Sequence, residues 1–105
     1  MATSDDLWGG RLVGVAFDPL THACDLRVTT PLNGVTSDYR IACRGVSELR
    51  FHNAIAEPWA YAEVTEAHLS ADRLDDRQTL ELILWSDDAS LVVTCVAIDI
   101  RDTSK

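Results

Sequence analysis

The feature that most constrains this chain is an alternation of apolar side chains with a period of two, repeated from end to end. In Arg11 to Asp18 the side chains Val13, Val15 and Phe17 share one face. In Ala23 to Thr30, Cys24, Leu26 and Val28 share a face while Asp25, Arg27 and Thr29 point the other way. That period marks half-buried strands. Between the two runs, Asp18-Pro19-Leu20-Thr21-His22 carries turn chemistry, because proline presets φ at a turn's second position. The pair predicts a hairpin.

Pro31-Leu32-Asn33-Gly34 is a second turn signal, Asn-Gly being suited to positive φ. After it Tyr39, Ile41 and Cys43 alternate with Arg40, Ala42 and Arg44; Gly45 interrupts, and Val46 to Phe51 continues as a bent or bulged strand. Thr79 to Trp85 and Ser90 to Arg101 flank the polar tip Ser86-Asp87-Asp88-Ala89 and predict a closing hairpin. Its last strand places Val92, Val96, Ile98 and Ile100 on one face and Leu91, Val93, Cys95 and Ala97 on the other. A strand apolar on both faces belongs in the middle of a sheet or between two layers.

One stretch reads two ways. From Pro58 to Leu74, Ala60, Val64, Ala67, Ala71 and Leu74 fall at helical spacings, and Pro58 suits a first helical turn. Tyr61 to Glu66 reads equally as an edge strand, and the strand is preferred because its neighbours are strands and sequential strands pair. The fold expected is mainly β: an antiparallel twisted sheet, or a small sandwich or barrel, of about 6–7 strands built from hairpins. At most one helix is expected, within 58–74.

The 105 residues suffice for a single domain over 1–105, with fraying expected at 1–6 and 102–105. Nine basic against seventeen acidic side chains give a formal charge of −8. Such a surface repels phosphate backbones and anionic membranes and leaves open a basic protein partner or self-association. The longest apolar run, Leu91 to Ile98, is broken by Thr94 and too short to span a bilayer. Met1 to Asp6 lacks the build of a signal peptide, and three widely spaced cysteines, Cys24, Cys43 and Cys95, make no disulfide framework. A cytoplasmic location is expected.

No motif names a reaction. His22 and Cys24 lie two apart, but zinc sites pair their ligands at short spacings twice over, and each cysteine sits among apolar neighbours, so no metal or cofactor is expected. His52, Glu57, Glu63, Glu66 and His68 could supply carboxylates and an imidazole, yet no nucleophile elbow, phosphate loop or His-Glu-x-x-His accompanies them. The expectation is a non-enzymatic binding module. Phe51, His52, Trp59 and Tyr61 cluster around one loop, and aromatics dominate interface hot spots. The acid-rich stretches, with Glu57, Glu63 and Glu66 and then Asp72, Asp75 and Asp76, offer a contact face for a basic partner. Core capping is the competing role for Trp59 and Tyr61. A small-ligand pocket lined by Trp59, Tyr61 and Trp85 is the competing function.

These residues also carry a resemblance. Phe17-Asp18, a turn with His22, Asp25-Leu26-Arg27-Val28, Ile41-Ala42-Cys43-Arg44-Gly45-Val46, Leu49-Arg50-Phe51 and Pro58-Trp59-Ala60-Tyr61-Ala62-Glu63-Val64, followed by the closing hairpin, resemble small bacterial β proteins. Some of those families are similar to the immunity proteins of polymorphic toxin systems. The resemblance spans about Leu12 to Ile100. It implies a one-domain, non-enzymatic inhibitor that is encoded beside a toxin and blocks it in the cytoplasm, and it transfers no individual binding residue.

Overall fold

The computed structural model describes residues 3–32, 35–72 and 76–103. Eight strands form one antiparallel sheet: β1 (Arg11–Asp18), β2 (Ala23–Leu32), β3 (Val35–Arg44), β4 (Glu48–Asn53), β5 (Ala62–Asp72), β6 (Arg77–Leu84), β7 (Ala89–Cys95) and β8 (Ala97–Asp102). The order across the sheet is β4-β7-β6-β5-β1-β2-β3-β8. No α-helix occurs among the described residues, only the 3-10 turns Ser4–Leu7 and Trp85–Asp87. The stretch that read as helix or strand is a strand from Ala62 onwards. The turn expected at Asn33-Gly34 and the residues Arg73, Leu74 and Asp75 lie outside the described residues.

Eight strands stand where about 6–7 were expected, because two long strands break where the sheet bends. One breaks at Gly45–Ser47, between β3 and β4. The other, expected to run unbroken from Ser90 to Arg101, breaks at Val96, between β7 and β8. The two breaks lie side by side, and the ladder is stitched across the corner by Val96 N–H to Arg44 C=O at 3.0 Å and Ser47 N–H to Thr94 C=O at 2.9 Å. Gly45 makes this approach feasible: its φ is +68°, and a Cβ there would lie 2.8 Å from Val96 Cγ2. The kink also reverses which alternate set faces inward. Leu91, Val93 and Cys95 are buried before it and Ile100 after it, so the expected single face of Val92, Val96, Ile98 and Ile100 does not form.

At the opposite side the sheet folds where β1 meets β5, a contact of only two residue pairs, Arg11↔Glu63 and Leu12↔Ala62. The halves β1-β2-β3-β8 and β4-β7-β6-β5 thereby close over one apolar cluster, in which Leu26, Val28 and Ile41 of the first half join Val64, Leu80, Leu82, Leu84 and Val93 of the second. The sheet does not close into a barrel: β4 and β8, its ends, do not pair with each other.

The N-terminal segment is tied down. Leu7 is fully buried, and Gly9 N–H and Gly10 C=O both bond to the backbone of Val64 at 2.8 Å. The Trp8 indole donates to Ala67 C=O at 2.9 Å. Leu7 to Gly10 therefore covers the edge of β5 from Val64 to Ala67, next to its short pairing with β1.

Candidate protein-interaction site

The alternation along β1 is broken by a bulge between Leu12 and Gly14. Leu12 opposes Val28 and is buried; beyond the bulge Val15 opposes Leu26 and Phe17 opposes Cys24. Since Leu26 and Cys24 face the core, Val15 and Phe17 must face it too. Yet Val15 is 50% and Phe17 43% exposed. The reason is topological: β5 leaves β1 after Leu12, so Val13 to Asp18 is paired with β2 on one side only. The inner face of β1 stands open.

Across this gap lies the end of β4. Phe51 opposes Leu91, a buried residue, and so also points inward, but it is 58% exposed. The loop 54–61 starts from a local clamp, in which the Asn53 side chain accepts from Ile55 N–H at 2.8 Å and donates to Ile55 C=O at 2.7 Å. Ala54 N–H donates to Asp88 C=O at 2.8 Å, tying the loop to the β6–β7 tip. The loop then delivers Trp59 and Tyr61. Trp59 packs edge-on against Phe51, centroids 5.9 Å apart, and against Trp85 at 6.2 Å. Tyr61 tilts on Trp85 at 5.6 Å, and the Arg11 guanidinium sits over the Tyr61 ring at 4.9 Å. Such pairs add about 0.5–1.5 kcal/mol each beyond area burial, enough to hold the loop in one place.

Trp85 is positioned at a cost. Trp85, Ser86 and Asp87 take φ values of 52°, 55° and 84°, the left-handed region that side-chain-bearing residues avoid. The indole N–H groups of Trp59 and Trp85 are both buried without a protein acceptor. A groove of about 250 Å³ opens beside them, lined by Leu12, Val13, Val15, Phe51, Trp59 and Tyr61.

Of the residues singled out from the sequence, Phe51, Trp59 and Tyr61 converge here, and Trp59 is at once partly buried against the core and in contact with the open mouth. Trp59 therefore packs on the core and lines the groove at once. His52 does not join them; it opposes Ser90 and faces outward. The carboxylates form no single face with the aromatics. Glu57 is exposed in the loop, and Glu63 opposes Arg11 on the outer side of β5. Glu66 is held by His68 at 2.9 Å, and His68 in turn packs on Trp8. Asp72 ends β5 opposite Arg77, Asp76 sits in the β5–β6 turn with φ of 53°, and Asp75 is not among the described residues. The pocket expected between Trp59, Tyr61 and Trp85 is occupied by the rings themselves, which pack on one another.

Sequence reading missed the open edge of β1. The signal was present: Val13 to Phe17 carries no charge, whereas strands at sheet edges ordinarily do. It also missed an arginine-rich outer face. Arg27 opposes Arg40, and Arg40 opposes Arg101, a row of like charges across β2, β3 and β8. Asp25 lies 3.4 Å from Arg40 and 3.5 Å from Arg44, and Arg101 bonds Asp99. Arg27 has no such carboxylate among the described residues.

The three cysteines are free and fully buried. Cys24 and Cys43 are direct neighbours on β2 and β3, and Cys95 approaches from β7. Burial pushes all three thiols above their ordinary value of 9.0. Among the described residues no three His, Cys, Asp or Glu side chains are grouped to hold a metal ion, and no helix is long and apolar enough to cross a membrane. No family model matches the chain, and no curated protein matches it.

Proposed function

We propose that this protein is a non-enzymatic, protein-binding module of the cytoplasm whose contact surface is the open mouth between β1 and β4. One observation carries the proposal: Val15, Phe17 and Phe51 point toward the core side of the sheet and are nonetheless about half exposed. Inward-facing apolar side chains that the fold leaves wet gain free energy when a partner covers them, at roughly 25 cal/mol per Å² removed from water. The aromatic loop beside them supplies rigid anchors of the kind that dominate binding energy.

The resemblance to immunity proteins supports a specific form of this reading, in which the partner is a toxin held inactive. The net charge of −8 favours a basic partner at long range. Substituting Val15→Lys and Phe51→Ser, singly, tests the site. The immobilised full chain captures its partner from an extract of the source cells, and each variant should retain less than about a tenth as much, as expected for central contacts. The circular dichroism spectrum should be unchanged and the melting temperature should fall by no more than about 10 °C, because both side chains are half exposed and Phe51 gives up only its edge contact with Trp59. Equal capture by the variants sinks the proposal.

The small-ligand reading has one observation in its favour, the two buried indole N–H groups of Trp59 and Trp85 that lack a protein acceptor. Against it, the adjoining groove, at about 250 Å³, falls below the usual size of ligand pockets, roughly 300–1,000 Å³.

A further inference from the structure

The sheet has several free edges, and the two end strands are protected. β4 presents Glu48, Arg50 and His52, and β8 presents Asp99, Arg101 and Asp102. Charges of this kind block the addition of another strand. The edge of β5 is covered from Val64 to Ala67 by Leu7 to Gly10, through the bonds from Gly9 to Val64 and from Trp8 to Ala67. Val13 to Phe17 of β1 has neither cover nor charge. In an antiparallel strand paired on one side only, every second residue turns its N–H and C=O to the open side. This edge, of about 3.4 Å per residue, offers a strand-length row of such groups.

The two flanks of the edge differ in chemistry. On the inner flank is the apolar groove with Val15, Phe51, Trp59 and Tyr61. On the outer flank a second groove runs along Gly14 and Ala16, bounded by Asp25, Arg27 and Arg40. Arg27 leans across it: a Cβ on Gly14 would lie 3.7 Å from both Cβ and Cδ of Arg27, so the arginine stem lies over Gly14 and the side chain lines the groove beside the open edge. Arg27 is also the arginine of the row without a carboxylate partner among the described residues.

The geometry points to strand addition: β1 takes up an extended segment of a partner protein that alternates apolar side chains, directed into the aromatic groove, with carboxylates, directed to Arg27. This deepens the protein-binding reading and rests on it. A second copy of the chain fits less well. Its β1 would bring Gly14 and Ala16, which give Arg27 nothing, and two chains of charge −8 repel. The long-range preference for a basic partner is a separate matter, since it acts beyond the contact and fades over a Debye length of about 8 Å at physiological salt.

The probe is a synthetic nonapeptide of alternating valine and glutamate, titrated into the isotope-labelled full chain at physiological salt. Amide shifts should be confined to β1, the 54–61 loop and the neighbourhood of Arg27, with slowed hydrogen exchange along Val13 to Asp18. Methylating alternate peptide nitrogens should weaken binding by about tenfold or more, because it removes main-chain donors. Arg27→Ala should weaken it by about fivefold, and Arg27→Glu should shift preference to the lysine–valine counterpart. Arg27 is exposed, so neither variant should alter the fold. No shifts at about 1 mM peptide, a concentration sufficient even for weak binding, overturns strand addition. So does equal binding of the methylated peptide, and equal binding of the glutamate and lysine peptides overturns the role of Arg27. The broader proposal fails by a different sign, undiminished capture of the partner by Val15→Lys and Phe51→Ser.

Discussion

Strands β7 and β1 carry the same alternating apolar pattern and end in opposite states. In β7, Ala89, Leu91, Val93 and Cys95 are all buried, because β4 and β6 flank the strand and the other half of the sheet covers it. In β1 only Leu12 is buried; Val15 and Phe17, no less apolar, are half exposed. The difference is one of company. A strand paired on both sides lies under a continuous roof, while β1 loses its β5 neighbour after Leu12, and the roof ends with it. The same contrast appears in charge. The β1-β2-β3-β8 half carries Arg11, Arg27, Arg40, Arg44 and Arg101 against Asp18, Asp25, Asp38, Asp99 and Asp102, and is balanced. The acidic excess lies in the other half and in the connections. An overall charge therefore says little about any one surface.

The sharpest way to break this comparison is to truncate matching positions. Leu91→Ala in β7 should cost about 2–5 kcal/mol in urea unfolding, the range for a filled core site. Val15→Ala should cost less than about 1 kcal/mol, since half of its surface is already in water. Equal costs would show that the mouth is closed in solution.

Next in size is the corner that lets the two halves face each other. Gly45→Ala meets both a left-handed φ and a Cβ contact of 2.8 Å with Val96, and should destabilise by about 2–4 kcal/mol. A neutral result would mean that the strands bend elsewhere. At the β6–β7 tip the sign is opposite. Ser86 holds a φ of 55° without a glycine, so Ser86→Gly should stabilise by about 1 kcal/mol. Near-ultraviolet dichroism of the tryptophans should be preserved, and its loss would show that the tip does not anchor Trp85.

The smallest effect at neutral pH concerns the thiols. Cys24, Cys43 and Cys95 have their ionisation displaced upward by burial. Below pH 9 folded and unfolded chains both hold these protons. As pH rises through 9 the unfolded thiols ionise and the folded ones do not, so the melting temperature should fall only on that alkaline side. Native labelling should be slow throughout. Phe17 lies directly across from Cys24, so Phe17→Ala should speed labelling of Cys24 while leaving Cys95 unchanged. Equal acceleration at both would mean general loosening rather than a wider mouth.

Much of this architecture is legible in the sequence, because it is local. Alternation, Pro and Asn-Gly turn chemistry, and the lack of sustained helical spacing outside 58–74 all act between residues close in the chain. They determined that the protein is antiparallel β, where its first hairpin lies, that Gly45 interrupts a strand, and that aromatics gather near 51–61. What only the tertiary structure decided depends on residues far apart. The bulge after Leu12 turns Val15 and Phe17 inward, and the kink at Val96 reverses the inner face of the last strand. Pairing across β2, β3 and β8 lines up Arg27, Arg40 and Arg101. A period of two places a side chain on one face or the other, but one inserted residue exchanges the faces. Which face is roofed is decided by strands that arrive from elsewhere in the chain.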